Sequence, residues 1–211
     1  VAAYAWSITY ANSCTAATGT LAVTEPAVIT GSAAVTTAIT CNGGTGTVTL
    51  TGAGGTAPLS YTFNGVTNGT GVFAGISAGA AYAWSITDAN SCTAATGTLA
   101  VTEPAVLTVS TTKTDVSCNG GSNGTATAIP LGGTGPYTYS WNTTPIQNSI
   151  TAVNLIIGTY TVTVIDANLC TANSSVTIDQ PATALSGSIT SQTNVSVNGG
   201  SDGSVTVLGT G

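Results

Sequence analysis

Residues 80–106 read AAYAWSITDANSCTAATGTLAVTEPAV, and residues 2–28 repeat this stretch with a single change. Twenty-six of the twenty-seven positions are identical, and the exception is Tyr10, which stands in the place of Asp88. The chain is therefore a tandem array with a period of about 78 residues, and such internal repetition decides the architecture before any local signal does. A unit that is copied along a chain typically serves as a spacer, a multivalent binder or a building block of an assembly.

Landmarks at equal spacing divide the chain into four segments. Residues 1–26 form the end of a repeat, 27–104 and 105–181 are complete repeats, and 182–211 is the start of a further repeat. The two partial segments do not add up to one domain, because the counterpart of roughly 135–158 is missing from both. We therefore expect the natural chain to continue at both ends.

Within each repeat, large apolar residues alternate with small or polar ones. Tyr82, Trp84 and Ile86 follow this pattern, and so do residues 137–142 and 160–165. Alternation with a period of two is typical of half-buried strands, and Gly and Asn-Gly clusters interrupt the runs before a helical face can form. About seven short strands per repeat fit an immunoglobulin-like sandwich. The sequence thus predicts an all-β fold, a tandem array of small immunoglobulin-like antiparallel β-sandwich repeats of about 78 residues.

Each repeat ends in Glu-Pro or Gln-Pro, at 25–26, 103–104 and 180–181. Proline fixes φ and donates no ladder hydrogen bond, so it stiffens a short junction between domains. We expect a semi-rigid connection at each of these positions.

The composition excludes several classes of function. The chain has one Lys or Arg, seven acidic residues and no His. Nucleic-acid phosphates and anionic membrane surfaces both attract clustered Lys and Arg, so neither partner is expected. No apolar run reaches the length of a membrane span, so membrane insertion is not expected either. Without His there is no His-based triad, and the acids are scattered singly, so we predict that the chain is not an enzyme.

The surface is expected to carry very little charge. Charged residues make up 4% of the chain, whereas about 25% is usual in soluble domains. A surface kept wet by Thr, Ser, Asn and Gly has little charge repulsion to oppose association. We therefore predict self-association with other copies or neighbouring repeats, and the alternative is that these faces carry glycans.

Repeat 105–181 contains two distinctive segments. The first reads VSCNGGSNGTATA over 116–128 and continues as GGTGPYTYSWN over 132–142, and the second reads GTYTVTVIDANLCTA over 158–172. These segments resemble the SprB-type repeat of giant surface adhesins in gliding Bacteroidota. The resemblance implies export by the type IX secretion route to the bacterial cell surface and a role in adhesion, gliding or an extracellular appendage. One departure is Val197, where the family usually has Cys.

Each complete repeat has one cysteine in a Cys-Asn-Gly-Gly turn, Cys41 or Cys118, and one after an Ala-Asn-x turn, Cys92 or Cys170. Paired cysteines in an exported array of small domains indicate disulfides. We predict pairing within a repeat, Cys41–Cys92 and Cys118–Cys170, with Cys14 joined to a residue before the chain begins. The alternative bridges neighbouring repeats, Cys14–Cys41 and Cys92–Cys118. In a sandwich, the two turns of one repeat can lie at opposite ends, beyond the reach of about 7 Å that a disulfide allows.

Two equivalent turns carry a carboxylate and could be considered as calcium sites. Asp88-Ala-Asn90 and Asp166-Ala-Asn168 occupy equivalent turns, and oxygen-rich turns suit calcium. However, Asp and Asn also stabilise turns through their own side-chain hydrogen bonds. Because Tyr10 replaces the carboxylate in the first copy, we expect no calcium and no other cofactor. Tyr10 itself is expected to be exposed at its turn and is the candidate contact residue.

The strand aromatics are predicted to form the core, because they carry most of the apolar area available for burial. A sugar-stacking platform is the alternative for these residues. The leading functional prediction is a structural and adhesive segment of a long, repetitive extracellular surface protein, either a stalk or a filament. The alternatives are a module that binds polysaccharide or another cell's surface, and a spacer in a larger secreted enzyme.

Overall fold

The computed structural model describes residues 2–12, 17–92 and 95–211. Cys14, for which a partner before the chain was predicted, lies outside the described residues. Every regular element in the described part is a β-strand. Among the described residues there is no helix with the length and apolarity that a membrane crossing requires. The all-β prediction is confirmed.

The chain divides into two compact units. The first comprises residues 1–39 and 43–103, and the second comprises residues 40–42 and 104–211. The finer division into four segments remains a prediction.

The first unit opens with an antiparallel hairpin, β1 (Ala2–Ile8) paired with β2 (Ala17–Val23). Seven further strands follow: β3 (Thr30–Thr37), β4 (Gly46–Ala53), β5 (Ser60–Phe63), β6 (Val66–Asn68), β7 (Val72–Ile76), β8 (Gly79–Thr87) and β9 (Ala95–Val101). The order β3-β4-β7 forms one sheet and β6-β5-β8-β9 forms the other, with all pairings antiparallel. Two antiparallel sheets of this kind make an immunoglobulin-like sandwich.

The second unit contains a similar sandwich followed by a hairpin. Its strands are β10 (Thr108–Thr114), β11 (Gly124–Leu131), β12 (Thr138–Trp141), β13 (Thr151–Leu155), β14 (Gly158–Ile165), β15 (Thr171–Ile178), β16 (Ser186–Thr193) and β17 (Ser204–Thr210). One sheet has the order β10-β11-β13, the other has the order β12-β14-β15, and β16 pairs with β17. The two sandwiches therefore place the same sequence landmarks on corresponding strands, as the period of about 78 residues requires.

Each sandwich has its own apolar core, formed by alternate residues of its strands. In β4 and β11 the first five residues follow the same sequence of buried and half-buried positions. The buried residues of the first core are Ile29, Ile39, Val48, Leu50, Phe63, Phe73, Ile86 and Val101. Those of the second are Val116, Ala126, Ala128, Trp141, Ala152, Leu155, Val162, Val164 and Ile178. The remaining strand aromatics of both sandwiches pack half-buried against these clusters.

The two cores differ in residue size at one equivalent pair of strand positions. In the first core Phe63 of β5 lies opposite Trp84 of β8, and in the second Trp141 of β12 lies opposite Val162 of β14. The indole of Trp84 covers Gly97 of β9, where an added Cβ would come within 2.7 Å of the ring. Gly97 therefore makes room for tryptophan at a position that holds valine in the other repeat, which preserves a closely packed interior.

The hairpin β1–β2 shows that burial here depends on the second sheet. Residues 2–9 are identical to residues 80–87. Nevertheless Ile8 exposes 64% of its surface, whereas the equivalent Ile86 exposes 0%. Within the described part of the chain, the hairpin has no opposing sheet to cover this face. For the same reason the aromatics Tyr4 and Trp6 are exposed, although their counterparts in β8 pack on a core.

Candidate functional site

The candidate site consists of the two cysteine turns and the residues that hold them. In the second unit the Cys-Asn-Gly-Gly turn is fixed to the end of its own repeat. Asn119 Nδ2 donates to the carbonyl of Pro181 at 2.9 Å, and the N–H of Gly120 donates to Gln180 Oε1 at 2.9 Å. Gly120 has φ of 74°, a conformation that glycine adopts without steric cost. We call this pair of contacts the junction clamp.

The same clamp occurs one repeat earlier. Asn42 Nδ2 donates to the carbonyl of Pro104 at 3.1 Å, a contact within the second unit. The N–H of Gly43 donates to Glu103 Oε2 at 2.6 Å, a contact within the first unit. Since only one side-chain oxygen is used, Glu and Gln are equivalent before the junction proline. The sequence drew attention to the proline at each repeat end, but it did not reveal that the Cys-Asn-Gly-Gly turn hydrogen-bonds to the residues there.

Cys41 is bonded to Cys170, and their Cα atoms are 5.8 Å apart with a sequence separation of 129 residues. The two cysteines belong to different sequence repeats, yet residues 40–42 are part of the second unit, so the bond is internal to that unit. Asn168 Nδ2 adds a hydrogen bond to the carbonyl of Thr40 at 3.0 Å. The Ala-Asn-x turn before Cys170 therefore binds the Cys41 turn through one disulfide and one hydrogen bond.

This connectivity corrects the predicted pairs Cys41–Cys92 and Cys118–Cys170, and it differs from the neighbour alternative as well. Among the cysteines that the structure describes, Cys92 and Cys118 are free and exposed. The physical reason is the length of β15. Cys170 directly precedes this strand, whereas Val116, two residues before Cys118, donates its N–H to the carbonyl of Asp179 just after the strand ends. Eight residues of strand separate the two turns by about 25 Å, far beyond disulfide reach.

Asp166 positions Cys170, the cysteine that is bonded to Cys41. Its carboxylate is buried, with 3% of the residue exposed, and accepts the N–H groups of Thr134, Asn168 and Cys170, each at 2.9 Å. Burial acts to raise the pKa of Asp166, but the three backbone donors outweigh it and hold the pKa below its usual value. The charged carboxylate thus ties Thr134 of a neighbouring loop to Asn168 and Cys170 of the Ala-Asn-x turn.

Asp88 repeats this arrangement in the first unit. It accepts the N–H groups of Cys92, Thr56 and Asn90 at 2.9, 2.9 and 3.0 Å. The hydrogen bond from Cys92, followed by that from Thr56, lowers the pKa of Asp88. Turn stabilisation therefore accounts for both carboxylates. The described residues contain no group of three or more side chains suited to a metal ion, and the expectation of no calcium stays a prediction.

Two further features lie outside the turns. Tyr10 exposes 78% of its surface, and its role as a contact residue remains a prediction. Lys113 forms ion pairs with Asp115 and Asp179, at 2.9 Å for the Asp115 carboxylate. The hydrogen bond to Asp179 and then that to Asp115 raise the pKa of Lys113. Repeat 27–104 has Thr36 at the corresponding position, so sequence repetition gave no hint of this ion pair.

Comparison with known proteins identifies part of the second repeat. Residues 110–145 match the family model described as SprB repeat. The predicted resemblance is thereby confirmed for this segment, which includes the Cys-Asn-Gly-Gly turn and the strand that ends at Trp141. The match indicates an extracellular, adhesin-like repeat, a structural rather than an enzymatic domain. No curated protein matches the chain.

The chain also has low similarity to several solved structures. Three N-terminal domains of the Highly Immunogenic Outer Capsid protein (Hoc) of bacteriophage RB49 are 16% identical with a TM-score of 0.47, covering 87% of this chain and 69% of that one. A structure that concerns the isoform specificity of Dscam is 14% identical with a TM-score of 0.34, and 78% of this chain spans about half (49%) of it. The amphioxus IgVJ-C2 molecule is 12% identical with a TM-score of 0.31, covering 70% and 95%.

Proposed function

We propose that this chain is a structural and adhesive segment that carries mechanical load in a long, repetitive surface protein of bacteria, a stalk or a filament exported by the type IX route. The observation that carries the proposal is the disulfide between residues 129 apart in the sequence. The SprB repeat at residues 110–145 supports the extracellular setting, where disulfides persist. The proposal includes no catalytic role for the segment.

The disulfide supports a mechanical role because of the path that tension takes. A force applied along the chain passes through β3 to Cys41, crosses to Cys170 and leaves through β15. The 128 residues between the two cysteines, which contain β4 to β14, are bypassed. Without the bond, unfolding would release up to about 450 Å of chain at about 3.5 Å per residue. With the bond, that length stays locked even if a sandwich opens.

The charge-poor surface supports association with further copies or with neighbouring repeats. Only 4% of the residues are charged, so little repulsion opposes contact between faces. We propose such self-association as the route to a filament, with gliding, appendage formation and contact with surface glycans or other cells as the settings in which it acts. Electron microscopy of the native full-length protein tests this. Several chains side by side in one fibre support it, and a single thin beaded chain restricts the role to a monomeric stalk.

A second candidate function is binding of polysaccharide at the cell surface. It is favoured by a shallow hollow of the first unit, with a volume of ≈ 490 Å³, whose lining residues include Thr62, Thr96, Thr98 and Trp84. Threonine hydroxyl groups can hydrogen-bond a sugar, and a tryptophan in the lining can add apolar contact. A glycan panel followed by thermal shift tests this function. A shift that disappears in Trp84→Ala supports it, and no shift with any glycan rejects it.

A spacer role in a larger secreted enzyme is compatible with the same mechanics. Its test is the sequence of the full-length protein, since the spacer proposal requires a catalytic domain elsewhere in that protein.

A further inference from the structure

The first unit has a cavity of ≈ 260 Å³ beside the free thiol of Cys92. Its walls come from residues 25–29, Gly55, Asp88 and Cys92. Pro26, in this wall, is one residue of the Glu-Pro junction, and Asp88 is the buried carboxylate of the Ala-Asn-x turn. All of these residues belong to the first unit. The cavity therefore lies where the Glu25-Pro26 junction meets the Ala-Asn-x turn of repeat 27–104.

The equivalent place in the second unit is filled by residues 40–42. The carbonyl of Pro104 accepts Asn42 Nδ2, and Asn168 Nδ2 donates to the carbonyl of Thr40. Cys170 completes the contact through its disulfide with Cys41. Pro104, Asn168 and Cys170 stand 78 residues after Pro26, Asn90 and Cys92 in the sequence. The second unit thus shows what this kind of site holds.

The groups that bind residues 40–42 are present and oriented in the first unit. Asn90 Nδ2 donates to Thr56 Oγ1 at 3.2 Å, as Asn168 Nδ2 donates to Thr134 Oγ1 at 3.1 Å. An amide nitrogen has two hydrogens, and in the second unit Asn168 uses the other one to bind Thr40. In the first unit, none of the described residues takes the second hydrogen of Asn90. Asp88 holds the N–H of Cys92 just as Asp166 holds that of Cys170.

We infer that the cavity beside Cys92 is a docking site for a Cys-Asn-Gly-Gly turn of another repeat and that Cys92 captures this turn as a disulfide. Asn90 binds the carbonyl of the residue before the incoming cysteine, and the carbonyl of Pro26 accepts the asparagine amide. Two thiols lose two protons and two electrons as the S–S bond forms, and a protein disulfide oxidant takes up the electrons and becomes a dithiol. The inference goes beyond the proposed function, because such a site binds its turn whatever load the protein carries.

A second turn of the donor kind is present in the same chain. The Cys118 turn has the same clamp contacts as the Cys41 turn, through Asn119 and Gly120, and its thiol is free. A complete repeat therefore carries one donor turn and one acceptor cavity, so that each repeat is linked to the next. Val197 replaces the donor cysteine in the last segment, so that segment has no thiol to offer and the series of crosslinks is interrupted there.

A peptide-capture experiment tests the site. The peptide AITCNGGT, residues 38–45, is activated as a mixed disulfide with 5-thio-2-nitrobenzoate and added to the full 211-residue chain. The thiolate of Cys92 attacks the peptide sulfur, and the coloured thionitrobenzoate leaves. Cleavage before aspartate under denaturing conditions then places Cys92 on fragment 88–114 and Cys118 on fragment 115–165. The rate at each cysteine is compared with that of a peptide of the same composition, scrambled around its cysteine.

Cys118 is the internal control, because it is also free but lies on a donor turn. Burial and then the charge of Asp88 raise the pKa of the Cys92 thiol, which slows both peptides alike and cancels in the ratio of rates. We expect Cys92 to prefer the native peptide by about tenfold, the effect of one well-formed hydrogen bond, and Cys118 to show no preference. Asn90→Ala should bring the Cys92 ratio close to that of Cys118. If the ratio of native to scrambled peptide rates is the same at the two cysteines of the unmodified chain, the inference is overturned, but the proposed mechanical role is not affected.

Discussion

Asp166 illustrates how a single charged residue organises a turn in a chain with few charges. Its carboxylate is surrounded by three backbone N–H groups and is almost completely buried. Such a group is costly to remove, since the three N–H groups that it satisfies are part-buried and lose their acceptor. Asp179 carries the same charge but lies exposed in the ion pair with Lys113. The two residues therefore separate the effect of charge from the effect of buried hydrogen bonding.

We predict that Asp166→Ala lowers the free energy of unfolding of the second unit by about 1–3 kcal/mol, because three part-buried N–H groups lose their acceptor. Asp179→Ala, the matched loss of one exposed charge, should cost at most about 1 kcal/mol. Urea denaturation measures both when it is followed by fluorescence in a Trp6→Phe, Trp84→Phe background, in which Trp141 is the one remaining tryptophan. Equal effects of the two substitutions would show that the buried turn is not held by its carboxylate.

The direction in which stability depends on pH follows from four aspartates. Asp88, Asp115, Asp166 and Asp202 all have a pKa below the usual value in the folded chain. Each therefore contributes stability that is present above the unfolded-state pKa of about 4 and is lost as the pH falls through the folded value. We predict that the urea midpoint is level near neutral pH and falls on acidification below about pH 4.

The control for this pH dependence is Asp166→Asn, which should reduce the acid-dependent loss because one linked proton is removed. Lys113 acts in the opposite direction, since its raised pKa gives stability that is present at neutral pH and is lost as the pH rises through that value. A urea midpoint that rises on acidification would contradict the assignment of these carboxylates as charged turn acceptors.

At the scale of a strand, the pair Trp84 and Gly97 explains how one repeat tolerates tryptophan where the next has valine. We predict that Gly97→Ala destabilises the first unit by about 1–3 kcal/mol, because its Cβ would lie 2.7 Å from the Trp84 ring and force it to move. Gly69→Ala is the matched control, since an added Cβ there meets nothing within 4 Å. Chemical denaturation of both variants measures the difference. A loss no larger than that of Gly69→Ala would mean that the indole moves freely.

At the strand scale, the sequence predicted the strands correctly but not the disulfide pairing. Alternation at Tyr82, Trp84 and Ile86 correctly predicted β8, because the two faces of a strand experience different environments. The same alternation does not tell at which end of a strand a loop lies. Since Cys118 and Cys170 belong to loops at opposite ends of β15, the disulfide pairing could not be derived from co-occurrence in one repeat.

The junction clamp was missed for a related reason. Asn119 and Gln180 are about 60 residues apart, and neither is distinctive by itself in a chain rich in polar residues. The available signal was their joint recurrence as Asn42 and Glu103 at the same spacing. Repetition marks such residues as coupled to the architecture, whereas only the folded structure shows that they touch.

At the scale of the whole molecule, repetition sets the mechanics. A sandwich that is copied along a chain gives reach, and a crosslink between cysteines of successive sequence repeats converts extensible domains into segments of fixed length. In the chain-entropy description, a closed loop of this size also stabilises the fold by about 5 kcal/mol. We predict that Cys41→Ser lowers the midpoint of denaturation under oxidising conditions, whereas Cys118→Ser, which removes a free thiol, leaves it unchanged.

The mechanical role of the disulfide is tested most directly by stretching single chains, held by their two ends, in a force spectrometer. Under oxidising conditions we predict that residues 42–169 never contribute to the length of the fully unfolded chain, because Cys41 and Cys170 stay joined. A reductant should then add about 450 Å to that length, and Cys41→Ser should have the full length from the start. An unfolded length that is the same with and without reductant would contradict the crosslink, and with it the mechanical role proposed for this protein.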